Sequence, residues 1–361
     1  MSVSTLDAAG RRANVQFRRP LDDSSAWICP ELAKHPERWM YHLSERDLGE
    51  IEAAVAAVRA RGLAIEDIGR ADFPLPALGP KLDSFRKELV HGRGFILLRG
   101  LPVEGRPIAV PATAYWGVGT YFGVARSQNS RGHLLGHVRS EGLSASDPNV
   151  RHYQTSERQT FHVDSCDIVG LLCLKTAKRG GESKITSSMT IYNRMLAERP
   201  DFLARLFEAM PVDRRGEVPE GAKPFFDMPV FNEHLGYLSV FYMRPNIVTA
   251  QRFPDARRLT REEIEALDYF DALADDPELR LDMALEPGDM QFLHNHTVLH
   301  DSTAYEDYPE KDRRRHLLRL WLAAPDARPL PDCFAQRYGS TVIGDRGGIV
   351  CQGTRVKIEL D

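Results

Sequence analysis

Three short apolar runs constrain this chain more than any other feature of its 361 residues. Gly94-Phe95-Ile96-Leu97-Leu98-Arg99-Gly100, the run from Ile168 to Leu174, and the run from Leu317 to Leu322 each read as a strand buried in a core. Helical patterns dominate the part before them. Ser44 and Asp47 form a capping box, Leu48, Ile51, Val55 and Val58 then recur at helical spacing, and Gly62 supplies the stop. A proline-rich link (Pro74, Pro76, Pro80) leads to a second short helix through Leu82, Phe85 and Leu89, and a third is expected around Ala112 to Phe122. Later helices are expected at Met189–Glu198, Phe202–Met210 and Arg261–Ala274. Helices first, then many short strands with insertions, is not the alternating rhythm of a doubly wound sheet. The order fits a mainly β fold with helical cover, a jelly roll dressed with N-terminal helices and carrying a large insertion.

One domain over 1–361 is the expected organisation. Residues 1–93 would be helical cover, 94–325 the jelly-roll core with a lid insertion at about 186–280, and 326–361 a C-terminal tail. Inside the insertion, Pro211 to Pro229 carries many charged, Pro and Gly residues and reads as a mobile lid. Ser127 to Asn149 reads as a long loop near the site.

The chemistry centres on Thr160-Phe161-His162-Val163-Asp164-Ser165. In a strand, residues two apart share a face, so His162 and Asp164 project side by side while Val163 turns away. Such a pair is two-thirds of the 2-His-1-carboxylate set that holds Fe(II) and leaves coordination positions open. Alone it is weak, because 12 histidines and 51 carboxylates in 361 residues give roughly two such triplets by chance. The other one, His35-Pro36-Glu37, has a proline unsuited to a central strand and no apolar flank.

A third ligand must come from a distant strand, and His294-Asn295-His296-Thr297-Val298-Leu299-His300 offers three histidines of one parity. Three on one face could bind a metal unaided, or His294 and His296 could orient the true ligands. Asn295 is a candidate for contact with a substrate carbonyl. Downstream, Arg315, Leu317, Arg319 and Trp321 share one face of a strand. Two inward arginines are costly unless each meets an anion, and guanidinium suits a carboxylate. Tyr153 and Gln154, just upstream of the metal stretch, are candidates for the substrate pocket.

Composition excludes several partners. A formal charge of -4 gives no general attraction to nucleic acid or anionic membrane. No segment approaches the apolar length of a membrane-spanning helix. Five cysteines (Cys29, Cys166, Cys173, Cys333, Cys351) form no C-x-x-C and read as reduced thiols, so the cytoplasm is the expected compartment. The expected partner is a small molecule, and the sequence is compatible with a homo-oligomer.

Taken in order from about Gly94 to Trp321, the parts form a recognisable set. His-x-Asp is followed by Gly180-Gly181-Glu182-Ser183, by Gly288-Asp289, by Asn295-x-x-Val298-Leu299-His300 and by Arg315-x-x-x-Arg319. This resembles the taurine dioxygenase and clavaminate synthase-like (TauD/TfdA) family of Fe(II)- and 2-oxoglutarate-dependent oxygenases. The resemblance implies a double-stranded β-helix of cupin-like form, with Fe(II) as cofactor and 2-oxoglutarate and O2 as cosubstrates. It implies His300 as distal iron ligand beside His162 and Asp164, and Arg315 on the C5 carboxylate of 2-oxoglutarate. Ser183 would assist it where the family often has Thr, and Arg319 would contact substrate or cosubstrate. The implied reaction is hydroxylation or desaturation of a small molecule with release of succinate and CO2, and the inward Arg319 points to a carboxylate on that molecule. Asp164 disfavours halogenation, since related halogenases carry a small residue there. The rival readings are a cupin-like isomerase or hydrolase using Zn or Mn, and a non-catalytic binding module on the same fold.

Overall fold

The computed structural model describes residues 19–143, 152–351 and 353–360. Strand side chains alternate between two faces, and here that alternation sorts the core into layers. The larger sheet runs in the order Met40–His42, Phe95–Arg99, Met290–His294, Ile168–Lys175, His316–Ala323 and Val124–Ala125, with Leu135–Val138 also paired to His316–Ala323. The smaller runs Arg280–Met283, Ser183–Ser187, Val298–Ser302, Gln159–His162. Phe95, Leu97, Val169, Leu293 and Trp321 of the first sheet meet Ile185, Leu281, Met283 and Val298 of the second in one buried cluster. Ile96, Leu98, Leu172, Phe292, Leu318 and Leu320 point the other way, onto the helices Glu45–Ala60, Leu78–His91 and Ala109–Gly119. Phe161, Val163 and Leu299 form the outer face of the smaller sheet, covered by Ser188–Glu198, Pro200–Leu206 and Arg261–Ala274. This is the jelly-roll core expected from the sequence, its two sheets facing without closing into a barrel.

Four expectations need correction. The N-terminal part is not helical cover alone, because Met40–His42 adds an edge strand parallel to Phe95–Arg99. Leu135–Val138 lies within the stretch read as a loop and pairs with Leu317 to Leu320. Pro211 to Pro229 is not one irregular loop. Met210–Asp213 and Phe225–Met228 pair antiparallel there, and Val212, Phe226 and Met228 enter the core of the insertion. Its charged, Pro and Gly residues fall mostly in the turn 214–223, so composition averaged over the segment hid two alternating strands. The C-terminal segment is not a loose tail either, since Arg346 is completely buried and the Gly348 N–H donates to the Ser165 carbonyl (2.7 Å). Among the described residues no helix is long and apolar enough to cross a membrane, and the five cysteines are free.

Candidate active site

Gln159–His162 and Val298–Ser302 run antiparallel, with His162 opposite His300. Both imidazoles turn toward the larger sheet, their ring centroids 4.1 Å apart. Asp164 stands just past the end of its strand. Its Oδ1 lies 4.0 Å from His162 Nε2 and its Oδ2 lies 3.7 Å from His300 Nε2. One donor atom from each of the three lies within 4.8 Å of the others, and all three residues are buried. No other such group of His, Cys, Asp or Glu occurs among the described residues.

Their protonation suits metal binding. His162 Nδ1 faces the Thr160 carbonyl at 2.9 Å; a carbonyl only accepts, so Nδ1 carries the proton and Nε2 keeps its lone pair. The Gln159 amide nitrogen lies 2.9 Å from that Nε2. Burial lowers the pKa of His162, and burial together with the neighbouring His162 lowers that of His300 to about 3. For Asp164, burial works against ionisation, but Arg319, the two imidazoles and Trp321 outweigh it and hold the carboxyl at about 2. Two neutral imidazoles and one carboxylate are the state in which these groups ligate a cation.

The loop 164–167 is tied down by distant segments. Trp321 Nε1 donates to Asp164 Oδ2 at 2.8 Å and Arg319 Nη1 donates to the same oxygen at 3.3 Å. Arg319 Nε donates to Gln128 Oε1 at 2.8 Å. The Asp164 N–H donates to Asn295 Oδ1 (3.0 Å), and Asn295 Nδ2 donates to Cys166 Sγ (3.1 Å). Asn295, read from the sequence as a candidate for a substrate carbonyl, is wholly buried and has both amide ends engaged in propping this loop. Asp167 Oδ1 accepts from Arg346 Nε at 2.8 Å and lies 3.1 Å from His296 Nε2, while its Oδ2 accepts from the Ala324 N–H at 3.1 Å.

The three histidines of one parity do not share a face. Met290–His294 ends in the larger sheet, the chain turns through 295–297, and Val298–Ser302 starts in the smaller one. His294 ends against Thr297 Oγ1 (2.9 Å) and His296 against Asp167, leaving only His300 with the His162/Asp164 pair.

Arg315 is 6 % exposed and has no carboxylate within ion-pair distance among the described residues. Its Nη2 lies 3.4 Å from the Gly181 carbonyl and from Ser302 Oγ, its guanidinium lies 4.9 Å from the ring centroid of Tyr305, which also hydrogen-bonds it, and Asp307 accepts from its backbone N–H. Burial pulls its pKa down. The bare backbone at Gly181 is required here: its φ is +77°, and a Cβ would stand 2.9 Å from Arg315 Nε. Ser183, expected beside this guanidinium, donates to Gln291 Oε1 (3.1 Å), whereas its cross-strand neighbour Ser302 is the hydroxyl near Arg315. Tyr153 lies with its ring 4.9 Å from the Arg319 guanidinium, the two lining a small cavity with His133 and His137. Gln154, in the same single turn His152–Gln154, points elsewhere and donates to Glu141 Oε2 at 2.9 Å.

Sequence reasoning missed Gln128, Asp167, Ser302 and Arg346. Trp321 had a signal, since it shares the Arg315/Arg319 face. Arg346 had none, lying in a glycine-rich stretch without periodicity.

The chain matches the family model described as "Taurine catabolism dioxygenase TauD, TfdA family" over residues 59–321. It is 34% identical over 327 residues to FR-33289 synthase of Streptomyces rubellomurinus, covering 90% of this chain and 96% of that one. It is 31% identical over 320 residues to the taurine hydroxylase-like protein SAT17 of Stachybotrys chartarum, covering 86% and 81%. In fold it is similar to an asparagine oxygenase solved with Fe(II), 3-hydroxyasparagine and succinate: TM-score 0.61, 19% identity, 79% of this chain and 93% of that one.

Proposed function

The chain belongs to the TauD/TfdA family of Fe(II)- and 2-oxoglutarate-dependent dioxygenases, and from that premise we propose which of its residues do the work. His162, Asp164 and His300 hold the ferrous ion, and Arg315 takes the C5 carboxylate of 2-oxoglutarate. The observation that carries this reading is the guanidinium of Arg315, buried without a carboxylate beside Ser302. Ser302 lies two residues beyond His300 on one strand and one face, about 7 Å along it. A five-carbon diacid spans that distance, with its keto acid end at the iron and its far carboxylate at Arg315. A buried cation is tolerated when an anion completes it, and the charge-assisted fork of arginine on a carboxylate is among the stronger such pairs.

Iron held there with 2-oxoglutarate and O2 would supply the oxidising power for hydroxylating the substrate, with succinate and CO2 as coproducts. The protein's contribution is placement and exclusion of water. Asp164 stays ionised because Arg319 and Trp321 face its Oδ2. His162 keeps its Nε2 lone pair toward the centre because Thr160 holds its other nitrogen. Asn295 fixes the backbone of Asp164, so the carboxylate cannot swing away with its loop. Tyr153 is placed over Arg319 at the edge of the substrate space, and Ser183 pairs opposite Ser302 beside the cosubstrate end. Residues 1–361 act as one domain in this reading, with hydroxylation of a small molecule as the outcome.

Incubation with Fe(II), 2-oxoglutarate and air tests it. Succinate should form, even if slowly without the true substrate, and a chelator should abolish it. No succinate with reconstituted Fe(II), but turnover of a substrate with Zn or Mn, would instead support a cupin-like isomerase or hydrolase.

A further inference from the structure

We infer that Gln159 is a binding residue for 2-oxoglutarate that also caps the metal centre before it is loaded. Its side-chain amide covers the donor nitrogen of His162 until a metal takes that nitrogen, and then donates to an oxygen of the cosubstrate. The inference rests on the metal and cosubstrate residues assigned above and adds one to them.

A β-bulge puts Gln159 there. His162 lies opposite His300 and Gln159 opposite Ser302, so three steps along the first strand face two along the second. Without the extra residue, alternation would turn Gln159 to the opposite face from His162. A bulge adds one residue to one strand and re-aims the side chains beyond it. Residues opposite one another in an antiparallel pair share a face, so Gln159 projects with His162, His300 and Ser302. The same bulge contains Thr160, whose carbonyl accepts from His162 Nδ1.

The side chain of Gln159 therefore runs between the two ends of the site. Its backbone stands level with Ser302, whose Oγ lies 3.4 Å from Arg315 Nη2, and its amide nitrogen lies 2.9 Å from His162 Nε2. That is the span assigned above to the five-carbon diacid, so Gln159 lies alongside the cosubstrate. Because His162 Nδ1 holds the ring proton, Nε2 is an acceptor and the Gln159 N–H donates to it. One lone pair cannot serve an N–H and a metal ion together. Metal binding releases the amide, and among the described residues no other side-chain hydrogen bond holds it. 2-Oxoglutarate offers only acceptor oxygens, most of them at its keto acid end, and a released N–H at that end pairs with one of them.

Calorimetric titration of the metal-free chain with Mn(II) reads the cap. Anaerobic titration of the Fe(II)-loaded chain with 2-oxoglutarate, followed by its charge-transfer band, reads the second role. Gln159→Leu keeps most of the bulk of this partly buried side chain and removes its donor. It should bind Mn(II) about threefold more tightly, because a neutral hydrogen bond no longer competes, and 2-oxoglutarate about 30-fold more weakly, because a bond to a charged group is lost. The opposite signs separate this role from a structural one, which would weaken both or neither. Gln159→Glu should bind 2-oxoglutarate more weakly still, since it sets a carboxylate against a dianion. Mn(II) affinity unchanged or reduced in Gln159→Leu, or 2-oxoglutarate affinity equal to that of the unaltered chain in either variant, would overturn the inference while leaving the metal assignment standing. An unaltered chain that binds neither Mn(II) nor 2-oxoglutarate would sink that assignment, and this role with it.

Discussion

Replacing Arg315 with Met should raise the KM for 2-oxoglutarate about 100-fold while leaving the fold intact or slightly more stable. Removing one partner of a buried, hydrogen-bonded charge pair costs about 3 kcal/mol, which corresponds to roughly 100-fold in an equilibrium constant. The two signs differ because the cosubstrate is the missing partner. Without it, the guanidinium is a buried cation facing two distant oxygens and an aromatic ring. Exchanging a buried unpaired charge for an apolar chain of similar reach removes a desolvation cost from the free protein. A purely structural arginine would show the opposite, with lost stability and an unchanged KM. Arg315→Lys should fall between, since an ammonium keeps the charge but not the fork. Steady-state kinetics in 2-oxoglutarate and a thermal melt of the same variants read both quantities.

The second large effect is expected far from the metal in sequence. Arg346→Met should cost about 3–5 kcal/mol of stability, the usual penalty for stripping one partner from a buried ion pair. Arg346 is fully buried and donates to Asp167 and to the Arg328 carbonyl, and Asp167 otherwise meets only His296 and one backbone N–H. That loss is a large share of the roughly 5–15 kcal/mol that holds an ordinary domain together. Asp167→Asn alone should also destabilise. The double variant should recover part of the sum, because it leaves no charge stranded. Urea unfolding of the four proteins measures the coupling, and strict additivity would show that the pair does not act as a unit. Since Asp167 lies three residues past Asp164, each single variant should also weaken Fe(II) binding below its own unfolding transition.

How much of this was legible differs from strand to strand. Phe95 to Leu98 was legible as a buried strand from its unbroken apolar run rather than from alternation, the jelly roll came from the order of elements, and only alternation along 315–322 put Arg315, Arg319 and Trp321 on one face. The stretch from His294 to His300 could not be resolved by parity, because a turn at 295–297 carries the chain from one sheet to the other. Local spacing has no term for such a crossing. The ordered motifs, not the alternation, singled out His300. The strands within 211–229 were hidden by a charged turn between them, and Arg346 by a glycine-rich segment whose partner lies 179 residues away. Asn295 shows a different limit: its type and place were right for a functional role, but backbone propping and substrate contact have the same sequence signature.

The central claim is that His162, Asp164 and His300 gather one ferrous ion within reach of Arg315. Anaerobic titration of the chain with Fe(II) and then 2-oxoglutarate, followed by visible absorption, tests it most directly. A metal-to-ligand charge-transfer band should grow to saturation at one iron and one 2-oxoglutarate per chain, and should be absent from His300→Ala at the same concentrations. An equal band in His300→Ala, or none in the unaltered chain, would contradict it.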